Sequence, residues 1–282
     1  MGKLLGLVVS QRRLGNSEVL VKEIMIRVPG EWEREMIRLT DLRIEPCKAC
    51  YTCLSSGVGC KVDDDFKFVM AKVQEADALV IGVPVYILGP HGYLKMFTDR
   101  LLGAGHYVQR TRGKPCVVVM PYGVTGWLGY SRAAALTLPR ILQMKLADFW
   151  AVHAALPAEG ALSPDNLARA GDIAARLFTG GEETRGPGEC LTCGSDLFRL
   201  LPGGVVECPL CGVRSRLDPD GQLVDGGTDE GRFTPARMQE HFLGWLVDMK
   251  EKFRVERERL KEAQKPYRDM DWWVRPPERE RG

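Results

Sequence analysis

The chain has 282 residues, and 45% of them are hydrophobic, which is enough for a sizeable core. Its 39 lysines and arginines nearly balance 37 acidic residues, so the net charge is only +2. This balance argues against a nucleic-acid-binding protein or one held on an anionic membrane. The apolar run from Leu4 to Val9 is too short for an export signal, and Gly and Pro interrupt the longer apolar stretches. We therefore expect a cytoplasmic protein without a membrane span.

Apolar segments alternate with helical patterns up to about residue 180. Five apolar strands are predicted, at 3–9, 34–39, 78–83, 115–120 and 147–153. Helices are predicted at 17–28, 63–75, 91–102, 130–145 and 164–178. Continuous apolar strands separated by helices indicate a parallel sheet covered on both faces. The predicted fold class is α/β, with five strands in the flavodoxin-like doubly wound order.

Three loops at the predicted carboxyl ends of strands contain the candidate ligand-binding residues. These are Ser10, Arg12, Gly15, Asn16 and Ser17 after the first strand, Pro84, Val85, Tyr86 and Ile87 after the third, and Tyr122, Gly123, Thr125 and Gly126 after the fourth. In the first loop, the hydroxyls, the Asn16 amide, Arg12 and the following helix N-terminus could all face a phosphate. An ordinary capped loop explains that segment equally well. Three such loops at one edge of an open sheet make a ligand site.

The nine cysteines fall into groups of four, one and four, which in a reducing compartment indicates metal or redox chemistry. The first group consists of Cys47, Cys50, Cys53 and Cys60. Three cysteines at three-residue steps can wrap around a large ligand, so the run predicts a [4Fe–4S] cluster. Zinc is the alternative, although zinc more often binds two separated knuckles. Cys116 lies in an apolar strand and is expected to be a small buried hydrophobe.

The last group consists of Cys190, Cys193, Cys208 and Cys211. It forms two Cys-x-x-Cys-Gly knuckles with fourteen residues between the pairs, which predicts one tetrahedral sulfur site. Zinc is favoured, because the insert has a single aromatic residue, Phe198, and a rubredoxin would need a larger aromatic cover over its iron. A single rubredoxin-like iron is the alternative.

The chain is predicted to have three parts. They are residues 1–183 with the cluster loop at 47–60, a ribbon at 187–226, and a C-terminal helix and tail at 232–282. A long helix is predicted from Thr234. Its apolar residues Met238, Phe242, Leu246, Met249 and Phe253 form one stripe. The stripe can pack on the body of the protein or on a second subunit.

Residues 1–180 resemble the iron–sulfur flavoproteins of the NADPH-dependent FMN reductase superfamily. The resemblance is found in Ser10, Arg12 and 15–17, in 84–86, in 94–100, and in the first cysteine run with the acidic residues 63–65 that follow it. It implies FMN bound by the three loops, with Tyr86 against the flavin ring, and a cluster held by the cysteine run. It also implies a homodimer or homotetramer with a cluster near a neighbour's FMN, and ferredoxin or NAD(P)H as redox partner. The 190–211 region lies outside the family pattern.

The predicted function is an FMN- and iron–sulfur-dependent oxidoreductase that couples one-electron and two-electron carriers. One alternative is an NAD(P)H-dependent flavin or quinone reductase with structural metal sites. The other is a non-catalytic metal-binding module of a larger redox complex. No catalytic side chain is predicted, and surface or packing roles are expected for the four histidines, His91, His106, His153 and His241.

Overall fold

The computed structural model describes residues 1–54, 59–179, 185–225, 230–268, 270 and 272. In chain order the first part contains β1 (Gly2–Val8), α1 (Asn16–Arg27), β2 (Trp32–Arg38), α2 (Phe66–Glu75), β3 (Ala78–Gly82), β4 (Val85–Tyr86), β5 (Gly89–Pro90), α3 (Gly92–Asp99), α4 (Gly105–Thr111), β6 (Pro115–Tyr122), α5 (Ser131–Ile141), β7 (Lys145–His153) and α6 (Pro164–Arg176). Five strands form a parallel sheet in the order β2-β1-β3-β6-β7. This is the flavodoxin-like order, so the predicted fold is confirmed.

Helices cover both faces of the sheet, which explains the continuous apolar strands. Along β1, Leu4 and Val8 lie in the core layer formed with α1 and α6. Leu5 and Leu7 lie in the opposite layer, with α2, α3 and α5. Because successive strand residues point to opposite faces, both sets must be apolar. Cys116 in β6 is fully buried, as predicted.

Two boundaries differ from the sequence prediction. The helix predicted at 130–145 is α5 alone, because Gln143 has a positive φ of 53° and β7 begins at Lys145. The short helix α4 was not predicted. It follows a 3₁₀ turn at Arg100–Gly103, so the helical pattern predicted at 91–102 is interrupted by a tighter turn.

The ribbon contains β8 (Arg199–Leu201), β9 (Val205–Glu207), β10 (Arg214–Leu217) and β11 (Leu223–Asp225) in an antiparallel sheet of order β11-β10-β9-β8. It packs on α5. Arg132 donates a hydrogen bond to the Gly194 carbonyl at 2.7 Å, and Arg140 donates to the Cys193 carbonyl at 2.9 Å. The first knuckle is therefore held directly on the sheet domain.

The C-terminal segment forms α7 (Pro235–Gln239), a π-helical turn (Glu240–Trp245), α8 (Leu246–Val255) and α9 (Arg257–Gln264). The long helix predicted from Thr234 begins as expected, with Thr234 as its N-cap, but the π-turn and a break at Glu256 divide it. Met238, Phe242 and Leu246 are buried in the chain's own core, whereas Phe253 is 59% exposed. Three of the five residues of the predicted stripe thus pack within the same chain. None of the helices in the described ranges is long and apolar enough to cross a bilayer.

Candidate functional site

A cleft of about 280 Å³ lies at the carboxyl edge of the sheet. Ten of the predicted residues line it, namely Ser10, Arg12, Gly15, Asn16, Ser17, Pro84, Val85, Tyr86, Tyr122 and Gly123. Ile87, Thr125 and Gly126 are not among its lining residues. Pro121, Val124, Ala154 and Ala155 line it but were not predicted. The last two follow β7, and the rule that ligands bind at strand carboxyl ends could have identified them.

The N-terminus of α1 opens into this cleft. Gly15 is the N-cap, and the first N–H groups of the helix have no intrahelical acceptors. The hydroxyl residues Ser10 and Ser17 are buried there, with 4% and 2% exposure. A Cβ on Gly15 would lie 3.1 Å from the Arg12 carbonyl oxygen and from its side chain, so the loop closes tightly at this point. This geometry suits a phosphate group.

Asn16 has a different role from the predicted one. Its amide nitrogen donates to the carbonyls of Ala154 at 3.0 Å and Leu156 at 2.8 Å, and its Oδ1 accepts from the Gly160 N–H at 3.0 Å. Because both amide hydrogens are already donated, the amide is not free for the predicted contact with a phosphate. Asn16 instead fixes the loop after β7 against the N-terminus of α1.

Glu18 supports the first loop from within α1. Its carboxylate accepts hydrogen bonds from Lys22, from the Leu14 N–H at 2.7 Å and from Arg38. Burial by itself would raise the pKa of Glu18, but these donors outweigh burial and lower the pKa to about 2. Arg38 also donates to the Ser10 carbonyl at 2.6 Å, so one ion pair fixes both ends of the loop.

Tyr86 lies on the short β4–β5 hairpin, with its ring edge-on to His91 at 5.2 Å between centroids. The two residues at the tip, Ile87 and Leu88, have positive φ values of 46° and 63°. A β-branched residue rarely adopts this conformation, so the tip is strained. The Leu88 carbonyl accepts from the Tyr130 N–H at 2.9 Å, which holds the hairpin against the loop after β6.

The first cysteine group, Cys47, Cys50, Cys53 and Cys60, lines one small cleft. Ala49 and Tyr51 have positive φ values of 47° and 55°, which turn the chain between the cysteines. Cys53 packs on Gly103, where a Cβ would lie 3.1 Å from the Cys53 Cβ. Burial, followed by the negative charges of the other three cysteines, raises the pKa of Cys53. The cysteines converge as predicted, while residues 55–58 of this run lie outside the described residues.

Three polar residues around this loop were not predicted as part of the site. Arg100 donates to the Cys60 Sγ at 3.2 Å and forms an ion pair with Asp64, in which both side chains are fully buried. The His106 Nε2 lies 2.7 Å from the Cys53 carbonyl oxygen, so this nitrogen donates. His106 is exposed and bonds a backbone carbonyl, which agrees with the surface or packing role expected for it.

The second cysteine group has tighter geometry. Its four Sγ atoms lie within 4.8 Å of one another and are all buried. The Cys190–Cys211 and Cys193–Cys208 sulfur distances are both 3.5 Å. A tetrahedral ion with metal–sulfur bonds of about 2.3 Å separates its sulfurs by about 3.8 Å, so a single ion fits. Among the described residues, the first cysteine group does not form a set whose ligand atoms all lie within 4.8 Å of one another.

Both knuckles of the second group are closed by backbone hydrogen bonds. The Gly194 N–H donates to the Cys190 carbonyl at 2.8 Å, and the Gly212 N–H donates to the Cys208 carbonyl at 2.7 Å. Both glycines have a positive φ, of 78° and 80°. The glycine after each pair is thus needed for the turn.

The Glu18 network predicts acid sensitivity. The folded-state pKa of about 2 lies below the ordinary value of 4.5, so the stabilisation is fully present above pH 4.5 and is lost as the pH falls towards 2. We expect Glu18→Gln to lower the free energy of unfolding at pH 7 by up to about 3 kcal/mol, with a smaller difference from wild type at pH 3. Urea unfolding at several pH values measures this. The exposed Glu31→Gln is the control, and an E18Q difference independent of pH would contradict the prediction.

Comparison with known proteins agrees with this geometry. Residues 2–154 match the NADPH-dependent FMN reductase family. An iron–sulfur flavoprotein of Methanocaldococcus jannaschii is 37% identical over 99 residues, which are 35% of this chain and 51% of that protein. An iron–sulfur flavoprotein of Archaeoglobus fulgidus is 31% identical over 105 residues, covering 37% and 47% of the two chains. The chain therefore spans about half the length of these curated relatives.

A solved structure of a flavone reductase aligns with 98% of this chain and 100% of its own, with a TM-score of 0.68 and 21% identity. At this identity the likeness shows the fold. The family match covers more than half of the chain and includes the three predicted loops that line the cleft. The chain therefore belongs to the NADPH-dependent FMN reductase family of flavin-dependent oxidoreductases.

Proposed function

We propose that the chain binds FMN in the carboxyl-edge cleft and a [4Fe–4S] cluster in the 47–60 loop, and that it couples one-electron and two-electron carriers. The observation that supports this most is the cleft itself. Three separate loops contribute ten predicted residues to it, beside the N-terminus of α1. The helix end suits the phosphate, and the half-exposed Tyr86 on its rigid hairpin suits the flavin ring.

The two cofactors account for the proposed chemistry. Flavins accept two electrons together and release them singly, whereas an iron–sulfur cluster takes up one electron at a time. NAD(P)H and ferredoxin are therefore both suitable redox partners. The protein's part is binding and orientation, so we assign no catalytic side chain.

For the second cysteine group we propose structural zinc. The four sulfurs are buried and closely spaced, and within the described part of the chain Phe198 and Phe233 are the aromatic residues packed against them. A single iron is the alternative. The ribbon's own core consists of its four cysteines and Val213, so an ion is needed to stabilise it.

Two other functions make different predictions about colour. A flavin or quinone reductase with structural metals would show flavin absorption without a cluster shoulder. A non-catalytic module would have no chromophore. The cleft argues against the non-catalytic module, because such a module needs no ligand cleft shared by Tyr86 and the N-terminus of α1. Visible absorption of protein purified without oxygen separates all three.

The FMN site can be tested at one hydroxyl. We expect Ser17→Ala to reduce the FMN retained through gel filtration several-fold, because Ser17 lies in the cleft at the N-terminus of α1. Thr125→Ala is the matched control, since it removes a hydroxyl from a cleft loop at a position outside the lining. Equal flavin content in wild type and S17A would show that the phosphate is bound elsewhere.

The metal sites can be tested by elemental analysis. We expect about four irons and one zinc per chain. Cys50→Ser should remove most of the iron and leave the zinc, and Cys193→Ser should do the reverse. Cys116→Ala should leave both unchanged. A fifth iron in place of zinc would favour the rubredoxin-like alternative, and zinc in both sites would contradict the cluster.

We also propose a homodimer or homotetramer. Leu243, Trp245, Val247 and Phe253 remain exposed on the C-terminal helices, although Met238, Phe242 and Leu246 are covered by the same chain. Analytical ultracentrifugation of the full chain should give a mass of two or four chains. Removing residues 246–282 should lower the number of chains in each particle. A monomeric full chain at micromolar concentration would contradict the proposal.

A further inference from the structure

Arg100 occupies an unusual place for a cation. Its side chain is fully buried, as is that of its partner Asp64. A buried charge is strongly destabilising unless it is paired and hydrogen-bonded. The two terminal nitrogens of the guanidinium meet this condition with Asp64 and with the Glu45 carbonyl at 2.8 Å, and the Phe66 ring centroid lies 4.7 Å away, while the buried Nε has no hydrogen-bond partner among the described residues.

These contacts join the two ends of the cysteine loop. The Asp64 carboxylate accepts from the Glu45 N–H at 2.8 Å and from the Phe66 N–H at 3.2 Å, while Arg100 holds the Glu45 carbonyl. One step further out, the Asp65 N–H donates to the Arg43 carbonyl at 3.0 Å. Segment 43–45 and segment 63–65 are therefore fixed side by side, and the cysteines lie on the loop between them.

The same guanidinium reaches a cysteine. Its Nη2 donates to the Cys60 Sγ at 3.2 Å and also to the Asp64 Oδ1 at 3.1 Å. Of the two ion-pair partners, Arg100 and not Asp64 thus contacts the Cys60 sulfur. An N–H···S bond and a nearby positive charge stabilise extra negative charge on a cluster and its thiolates. Because the contact is buried, water screens it little.

We propose that Arg100 positions Cys60 and raises the reduction potential of the iron–sulfur cluster, and that Asp64 opposes this effect while holding the guanidinium in place. This inference rests on the proposed cluster in the 47–60 loop. Arg100 acts through Cys60 and through the loop ends, so it is a positioning residue. Reduction adds negative charge, which the guanidinium favours and the Asp64 carboxylate disfavours.

Because Arg100 and Asp64 are expected to shift the reduction potential in opposite directions, the potential distinguishes this role from a purely structural one. The midpoint potential of the cluster is measured by a redox titration followed by electron paramagnetic resonance, on full-length protein with its iron content determined. We expect the potential to rise in the order R100Q, R100K, wild type, D64N. Arg100→Lys keeps the positive charge but loses the planar guanidinium with its several N–H donors. Asp64→Asn removes the opposing negative charge while the arginine stays protonated.

Matched controls are provided by Arg169→Lys and Asp148→Asn, which change a partly buried ion pair between α6 and β7, the opposite edge strand of the sheet. They should leave the potential unchanged. If R100Q does not retain iron, R100K below wild type and D64N above it still support the proposal. The inference is overturned if the iron-loaded Arg100 and Asp64 variants keep the wild-type potential, or if their potentials all shift in the same direction. Either result leaves the proposed cluster itself intact. Wild-type protein without iron overturns the proposed cluster and the inference together.

Discussion

The parallel direction of the five sheet strands is the constraint on which the site depends. It sends the loops after β1, β2, β3, β6 and β7 to one edge of the sheet. The cleft is built from four of these loops, and the first cysteine group lies on the loop after β2. The N-terminus of α1, the β4–β5 hairpin and the cysteine loop thus share one edge although they are separated along the chain.

Much of this arrangement could be predicted from local patterns. The continuous apolar strands gave the sheet, and the cysteine spacings gave both groups, because ligands close in sequence converge through local turns. Ten cleft residues were found from their positions after strands. Ile87, Thr125 and Gly126 lie outside the cleft lining, because sequence places a loop at an edge but does not fix which of its residues face the cleft.

The remaining part of the site depends on contacts between distant segments. Arg100 bonds to Glu45 across 55 residues, and Asn16 bonds to Leu156 across 140. No local pattern indicates such a partner. Asn16 also shows why a residue type alone misleads. An amide beside a helix N-terminus can serve an anion, but here it closes a neighbouring loop, and only tertiary structure distinguishes the two roles. The π-turn that interrupts the C-terminal helix contains Gly244 and the buried Phe242, and the sequence stripe alone did not predict this interruption.

The closed ends of the cysteine loop affect how the protein matures. The loop is tied by Arg100, Asp64 and Glu45 through bonds that involve no metal, whereas the ribbon has a core made largely of its cysteines. For the proposed zinc we therefore expect uptake during folding, and for the proposed cluster entry into a chain that is already folded. A protein stripped of iron by oxygen would keep a formed site that iron and sulfide can refill. Chelation of the ribbon ion would instead release the support under α5 and expose the chain to proteolysis. Under these proposals the first cysteine group would regain its cluster without unfolding of the chain. The second group would have to bind its ion again while the ribbon refolds.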